Sequence, residues 1–231
     1  MSSAKTPPRE RAAHYDGLAD WYDQHNAAGA GAHRDPLSDL LGPGTGLCLD
    51  LGCGTGQNVA TLRDSGRTVL GLDYSTDQLR LARRRVLPGE ALFQGDAAAL
   101  PFADAVFSTV AALWLSTDVD EFAAVVREAA RVLRPRGVLV YYGVHPCFNG
   151  PHTQARDDGG RLVHPIYRTA GWHPPAPWWR AGGIRQTLGM RHLPLADFLT
   201  AFADAGLTIT RVVEPGDEPV PWALGLRAEK S

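Results

Sequence analysis

Cysteine is scarce in this sequence, and long apolar runs are missing from it. The 231 residues include only three cysteines, with no Cys-x-x-Cys pair and no histidine spacing typical of a zinc site. No apolar run approaches the roughly 18 residues needed to cross a bilayer. The charged first residues also lack the apolar segment of a secretory signal. We therefore expect a cytoplasmic protein with free thiols, no bound metal and no membrane contact.

A surplus of charge is also lacking. Lysine and arginine total 23 and aspartate and glutamate total 25, so the formal net charge is −2. A chain without a basic surplus is poorly suited to nucleic acid, so we expect none as a partner. The hydrophobic share of 44% is typical of a globular protein. The length predicts a single domain over residues 1–231, as a monomer or homodimer.

The main positive feature is an alternation of short apolar runs with amphipathic segments. Strands are predicted at 47–51, 68–73, 91–94, 105–111 and 138–142. Helices are predicted between them at 57–65, 75–86 and 119–133. Because parallel strands need crossover connections, this order indicates an α/β fold with a doubly wound sheet. A helix at 196–205 and two strands at 207–213 and 220–227, which pair antiparallel, complete the prediction.

Two segments lie outside this alternation. Residues 10–41 are predicted to form an N-terminal helical cap, with helices at 10–26 and 35–41. Residues 145–192 contain six prolines, three tryptophans and five histidines and show no regular period. A long loop of this kind is usually functional, so we interpret 145–192 as a lid that binds a substrate.

A glycine-rich stretch, Leu-Asp-Leu-Gly-Cys-Gly-Thr-Gly at 49–56, follows the first buried strand. Glycines there allow a sharp turn and a close approach to a ligand, beside the amides of a helix N-terminus. The spacing differs from the G-x-G-x-x-G of dinucleotide sites, and the Lys-Ser/Thr of a phosphate-binding P-loop is missing. The stretch predicts a nucleoside-type cofactor site, with a plain turn as the alternative.

Acidic residues follow the next two strands. Asp73 ends the second strand, where a carboxylate can accept both hydroxyls of a ribose. Asp96 follows the third strand, where it could bind the amino group of adenine. Either acid could instead cap a local turn or helix. Their occurrence together, at the sheet edge where open α/β folds bind ligands, favours an adenosine site.

At these residues the sequence resembles the class I S-adenosylmethionine-dependent methyltransferases, over about residues 15–144 and the terminal strand pair. The resemblance implies S-adenosylmethionine as cofactor and a Rossmann-like seven-stranded sheet of order 3-2-1-4-5-7-6 with strand 7 antiparallel. The run 131–139 is also similar, although Arg136 stands where a glycine is commoner. The residues expected at the cofactor are Tyr15, Asp50, Gly52, Gly54, Gly56, Asp73, Tyr74, Asp96, Ala97 and Ala112.

The resemblance implies methyl transfer, for which the chain mainly has to orient an acceptor. If the acceptor carries a proton, a base must remove it, and histidine is suited to neutral pH. His145 is the first candidate because it follows the fifth strand, with His152 and Tyr22 as further catalytic candidates. A structural role for each of these side chains remains the alternative.

Aromatic side chains in the lid predict a planar acceptor. Trp172, Trp178 and Trp179, with Trp114 after the fourth strand, are candidates to bind it. We expect an aromatic or heteroaromatic small molecule, such as an indole-like ring of specialised metabolism, methylated at carbon, nitrogen or oxygen. Packing against the sheet edge would explain the same residues. A cyclase, a non-catalytic binding module or a nicotinamide oxidoreductase are the alternative functions.

Overall fold

The computed structural model describes residues 14–27 and 34–231, which fold around a mixed β-sheet. Its large sheet contains β1 (Leu47–Leu51), β2 (Thr68–Asp73), β3 (Ala91–Gln94), β4 (Phe107–Leu113), β5 (Leu133–Val144), β10 (Leu207–Val213) and β11 (Ala223–Lys230). Four short strands form two separate two-stranded sheets: β6 (Thr153–Ala155) with β7 (Arg161–Val163), and β8 (Gly171–His173) with β9 (Met190–His192). The helices are α1 (Ala19–Ala27), α2 (Arg34–Leu41), α3 (Val59–Asp64), α4 (Thr76–Ala82), α5 (Phe122–Val132), α6 (Ile184–Leu188) and α7 (Leu195–Asp204).

The large sheet has the predicted strand order. It runs β3-β2-β1-β4-β5-β11-β10, and β11 pairs antiparallel with both β5 and β10. Leu49 of β1 pairs in parallel with Leu70 of β2 and with Val110 of β4. Helices lie on both faces of β4, so all seven of its residues are buried and the strand shows no polar alternation. The seven-stranded Rossmann-like prediction is confirmed.

Helices cover both faces of the sheet and place the carboxyl ends of β1, β2 and β4 at one edge. On one face α5 and α7 pack through Phe122 and Phe198, whose rings stack with centroids 5.1 Å apart. On the other face α2 and α3 bury Leu40 and Leu62 against Tyr142 of β5. The loops at this edge lie between the N-terminal segment and residues 145–192.

The N-terminal helix is shorter than predicted. Residues 1–13 and 28–33 lie outside the described residues. Of the described part of the predicted helix, 14–26, only 19–26 are helical, within α1. Gly17 adopts a positive φ of 79°, and its N–H donates to the Asp77 carboxylate at 3.0 Å. A left-handed residue with its amide bonded elsewhere cannot continue a helix, so the aromatic spacing of 15–22 was misleading.

The lid has more regular structure than its sequence indicated. Two antiparallel strand pairs, β6–β7 and β8–β9, and the short helix α6 lie within residues 145–192. Each strand has three residues, too few for a period of two to be recognised. None of the helices in the described parts of the chain is both long and apolar enough to span a bilayer.

Candidate functional site

The glycine loop, residues 52–56, turns from β1 into α3 with three left-handed glycines. Gly52, Gly54 and Gly56 have φ values of 73°, 53° and 78°, a region in which side chains with a Cβ are strained. The amide of Gly52 donates to the carbonyl of Leu72 at 2.8 Å, which ties the loop to β2. A Cβ on Gly52 would lie 2.5 Å from Leu115 Cδ1. The loop therefore needs glycine for both its backbone angles and its packing.

Asp73 holds the glycine loop against the end of β2. Its carboxylate accepts the amide of Gly54 at 2.8 Å and the amide of Ser75 at 2.9 Å. Burial raises the pKa of Asp73, and the two amide hydrogen bonds act in the opposite direction. Each carboxylate oxygen retains a lone pair, so Asp73 can also accept the hydroxyls of a ribose.

Asp50 is a buried carboxylate in the middle of the sheet edge. It is 1% exposed, and its Oδ2 has no hydrogen-bond partner among the described residues. Burial raises the pKa of Asp50 to about 7, and the charge of Asp73 adds to the effect. A buried acceptor without a donor is costly. The cationic amino group of an amino-acid cofactor would supply the missing donor, so this site fits S-adenosylmethionine.

The raised pKa of Asp50 predicts that this carboxyl group weakens the folded state progressively as the pH rises from about 4 to 7. Between pH about 4 and 7 the unfolded chain loses this proton while the folded chain keeps it, so stability falls as pH rises. We expect the melting temperature of Asp50→Asn, measured relative to that of wild type, to be higher at pH 8 than at pH 5. We also expect this variant to bind S-adenosylhomocysteine more weakly than wild type. Thermal melts at both pH values, with Asp204→Asn as control, test this. A melting-temperature difference that is the same at both pH values would contradict it.

The other cofactor candidates lie at or near the sheet edge. Asp96 is exposed, and its carboxylate accepts the amide of Ala98 at 2.8 Å, closing a turn after β3. The amide of Gly95 donates to the carbonyl of Asp73 at 3.1 Å, which joins the two acidic strand ends. Tyr74 is 41% exposed, whereas Ala97 and Ala112 are buried. Their cofactor roles stay predictions.

Helix α1 is attached to the glycine loop through Asp23. Its carboxylate accepts the hydroxyl of Thr55 at 2.6 Å and the amide of Gln57 at 3.0 Å. Arg85 bridges the same two elements, with one nitrogen on Asp23 at 2.9 Å and another on the carbonyl of Thr55 at 2.7 Å. Asp23 lies in no motif, and only its tertiary contacts identify it. This network places α1 beside the proposed cofactor site.

A second network, which we call the clasp, joins Tyr15, Thr117, Asp118 and Arg185. Arg185 of α6 donates to both carboxylate oxygens of Asp118, at 2.8 and 3.1 Å, and to the hydroxyl of Thr117 at 2.5 Å. The hydroxyl of Tyr15 donates to Asp118 at 3.0 Å. Burial raises the pKa of Tyr15 well above its usual value, and the Asp118 charge adds to this. The clasp therefore links the lid, the loop after β4 and the N-terminal segment.

A cavity of about 550 Å³ lies between the glycine loop and the lid. Gly52, Gly54 and Tyr22 line one side, and Arg185 and Met190 line the lid side. Its volume is within the range of small-molecule sites. The glycine loop and the lid therefore border the same space, whereas Asp50 and Asp73 are not among the residues that line it.

Aromatic rings form part of the cavity wall. Of the four predicted tryptophans, Trp114 and Trp179 line the cavity. Trp222, just before β11, also lines it and stacks on Trp114 with centroids 5.6 Å apart. Trp172 and Trp178 do not line it, and they stack on His14 and His164 respectively.

The predicted histidines lie behind the cavity wall. Nε2 of His145 bonds the Glu214 carboxylate at 2.8 Å, while its Nδ1 accepts the amide of Cys147 at 3.1 Å. His152 is fully buried, its Nε2 bonds the carbonyl of Cys147 at 2.9 Å, and burial lowers its pKa. Neither lines the cavity. Both ring nitrogens of His145 thus have partners, whereas Nδ1 of His152 is buried without one among the described residues.

Tyr22 is the one predicted catalytic residue that lines the cavity. Burial, with the charge of Asp118, raises the pKa of Tyr22 to about 12. The phenol is therefore neutral at physiological pH and suited to donating or accepting a hydrogen bond. It is poorly suited to act as a base.

The chain is similar to known methyltransferases both in part of its sequence and in its fold. A family model described as a methyltransferase domain matches residues 49–141, from β1 to the middle of β5. The solved structure of an S-adenosylmethionine-dependent methyltransferase from Mesorhizobium loti superposes with a TM-score of 0.70 at 23% identity, covering 93% of this chain and 99% of that one. At this identity the structural likeness shows the fold alone.

Two curated relatives are named demethylmenaquinone methyltransferase. The protein of Renibacterium salmoninarum is 32% identical over 185 residues, which cover 77% of this chain and 77% of that protein. The protein of Corynebacterium kroppenstedtii is 36% identical over 137 residues, which cover 57% of this chain and 58% of that protein. The chain thus spans less than two thirds of the length of the second relative.

Proposed function

Because the chain belongs to the class I S-adenosylmethionine-dependent methyltransferases, we propose that it transfers a methyl group to a planar small molecule bound under the lid. The observation that carries this proposal is a cavity that is bordered both by the glycine loop and by the lid. Methyl transfer requires the donor and the acceptor to be held in line at close range, so their sites must share one space. We further propose that residues 145–192 act as this lid within a single domain.

The residues at the sheet edge fit the parts of the cofactor, which supplies an electrophilic methyl group when bound. We propose that Asp73 accepts the ribose hydroxyls and that Asp96 accepts the adenine amine. Oδ2 of Asp50 has no hydrogen-bond donor among the described residues. We propose that the amino group of the methionine part supplies this donor. Gly54 leaves its backbone open to close approach. Among the described residues other than its chain neighbours, the nearest atom to a Cβ built there is the side-chain oxygen of Gln78, at 3.7 Å.

The acceptor is proposed to be aromatic because three tryptophans border the cavity. The near-parallel Trp114 and Trp222, with an interplanar angle of 16°, present flat apolar surface, and Trp179 lies on the lid side. The names of the relatives make a quinone-type bicyclic ring the first acceptor to test. An indole-like ring is the second, since the aromatic wall suits any flat ring of this size.

The contribution of the chain to the reaction is proposed to be orientation and exclusion of water. The clasp holds Arg185 and α6 beside the cavity, and the neutral Tyr22 can hydrogen-bond a bound group. Holding two reactants in line is worth several kcal/mol of the barrier, so a dedicated base is unnecessary for an acceptor that is already nucleophilic.

Incubation with methyl-labelled S-adenosylmethionine and an acceptor panel tests the proposal. The panel should contain naphthol, naphthoquinol and indole derivatives, with product detected by label and mass. We expect label in at least one bicyclic acceptor, in amounts proportional to enzyme. If calorimetry shows bound S-adenosylhomocysteine and no acceptor is labelled, a cyclase or a binding module becomes the better account.

A further inference from the structure

The lid carries a positive charge that the rest of the chain does not share. Residues 145–192 contain six arginines and two aspartates, a formal charge of +4, whereas the whole chain carries −2. A local excess of guanidinium groups next to a cavity raises the concentration and affinity of anions there. An arginine of this segment can bind an anion only if its guanidinium has no partner within the protein.

Most of the lid arginines already have partners. Arg156 pairs with Asp158, Arg185 with Asp118 and Arg191 with Asp120, while Arg161 donates to the carbonyl of Phe148. Within the described residues, the side chains of Arg168 and Arg180 have neither an ion pair nor a hydrogen bond. Of these two, only Arg180 lines the cavity.

The charge of Arg180 is not compensated by the other residues that line the cavity. Among the described lining residues, His25, Arg180 and Arg185 are basic types and none is aspartate or glutamate. Arg185 is neutralised by Asp118, so Arg180 is the lining cation without a carboxylate. Tyr22 stays neutral because burial raises its pKa to about 12. The cavity therefore has one cationic group for which the chain supplies no anion.

We propose that Arg180 binds an anionic oxygen group of the methyl acceptor, a carboxylate or a phenolate, and so determines which planar rings the enzyme accepts. This inference rests on the proposed function, because it concerns the acceptor half of the same cavity. A guanidinium suits the role, since its planar donors match a carboxylate in a bidentate pair. An acceptor that enters as a phenolate has already lost its hydroxyl proton, so methylation at that oxygen needs no base, and methylation at a ring carbon then releases one ring proton to water.

Binding of two matched probes tests the proposal without requiring turnover. The probes are 3-hydroxy-2-naphthoate and its methyl ester, which share a ring and differ in one charge, titrated by calorimetry into protein loaded with S-adenosylhomocysteine. We expect wild type to bind the carboxylate several-fold more tightly than the ester, since Arg180 is exposed and water screens part of its charge. Arg180→Gln should remove this preference, and Arg180→Lys should retain part of it.

Arg168→Gln is the matched control, because Arg168 is an exposed lid arginine without a pairing partner that does not line the cavity. It should keep the wild-type preference. The proposal is overturned if wild type binds both probes equally or neither, or if Arg180→Gln retains the preference. It is also overturned if Arg180→Gln weakens S-adenosylhomocysteine instead, which would assign Arg180 to the cofactor carboxylate. A preference for the carboxylate without any methyl transfer would leave this inference standing and remove the proposed reaction.

Discussion

Replacing Asp73 with alanine is expected to weaken S-adenosylhomocysteine binding about thirtyfold, or roughly 2 kcal/mol. The carboxylate has two tasks in this account. It accepts the Gly54 and Ser75 amides, which fixes the glycine loop, and it is the proposed acceptor for the ribose hydroxyls. Calorimetric titration of the purified variant measures the loss.

The control for this prediction is Asp204→Ala, an exposed acid on α7 far along the chain from the sheet edge. It should leave the dissociation constant unchanged. Asp96→Ala should weaken S-adenosylhomocysteine binding only a few-fold, since Asp96 is exposed and its contribution is screened by water. A dissociation constant for Asp73→Ala equal to that of wild type, in a variant that melts cooperatively, would remove Asp73 from the cofactor site.

Replacing Arg185 with methionine is expected to release the lid. Asp118 and Arg185 are partly buried, with side chains 16% and 22% exposed, so removing one partner leaves a carboxylate poorly solvated. The free energy of unfolding should fall by roughly 2 kcal/mol, less than for a fully buried pair, because both side chains retain some contact with water. We expect faster proteolytic cleavage within 145–192 and a higher KM for the acceptor.

A double-mutant cycle with Asp118→Asn separates the clasp from general destabilisation. Arg185→Met and Asp118→Asn remove the same interaction, so the double variant should be little worse than either single one. Arg156→Met is the matched control, since Arg156 pairs with Asp158 in the same lid but both are exposed. Additive effects of the two clasp substitutions would show that the ion pair does not hold the lid.

The strands of the sheet were predictable because each is short, apolar and buried on both faces. The bounds of β1, β2, β3 and β10 agree with the predicted ranges. Strand β5 is longer than predicted at its start, where Arg134, Pro135 and Arg136 are exposed and show no apolar pattern. Local sequence thus located the central elements of the sheet, and burial decided how far they extend.

The glycine loop and Asp73 could be predicted because their chemistry follows from positions at strand ends. Asp23, Asp118, Arg185 and Trp222 could not, because each acts through a partner distant in sequence. Arg185 and Asp118 are 67 residues apart, and Asp23 and Arg85 are 62 residues apart. Only the folded arrangement brings such pairs together.

His145 shows why position after a strand does not assign a catalytic role. It does follow β5, as the sequence indicated, but Glu214 and the amide of Cys147 occupy its two ring nitrogens. Glu214 lies 69 residues further along, in the connection between β10 and β11. The bond fastens the start of the lid to that connection, a positioning task that a lone histidine in a sequence does not reveal.

A crystal structure of the protein with S-adenosylhomocysteine would show directly whether Asp73 and the cavity form the cofactor site. We expect the ribose hydroxyls to lie within hydrogen-bond distance of Asp73 and the sulfur to face the cavity bordered by Trp114 and Trp222. A nucleoside bound away from Asp73, or a sulfur separated from that cavity by the chain, would contradict it.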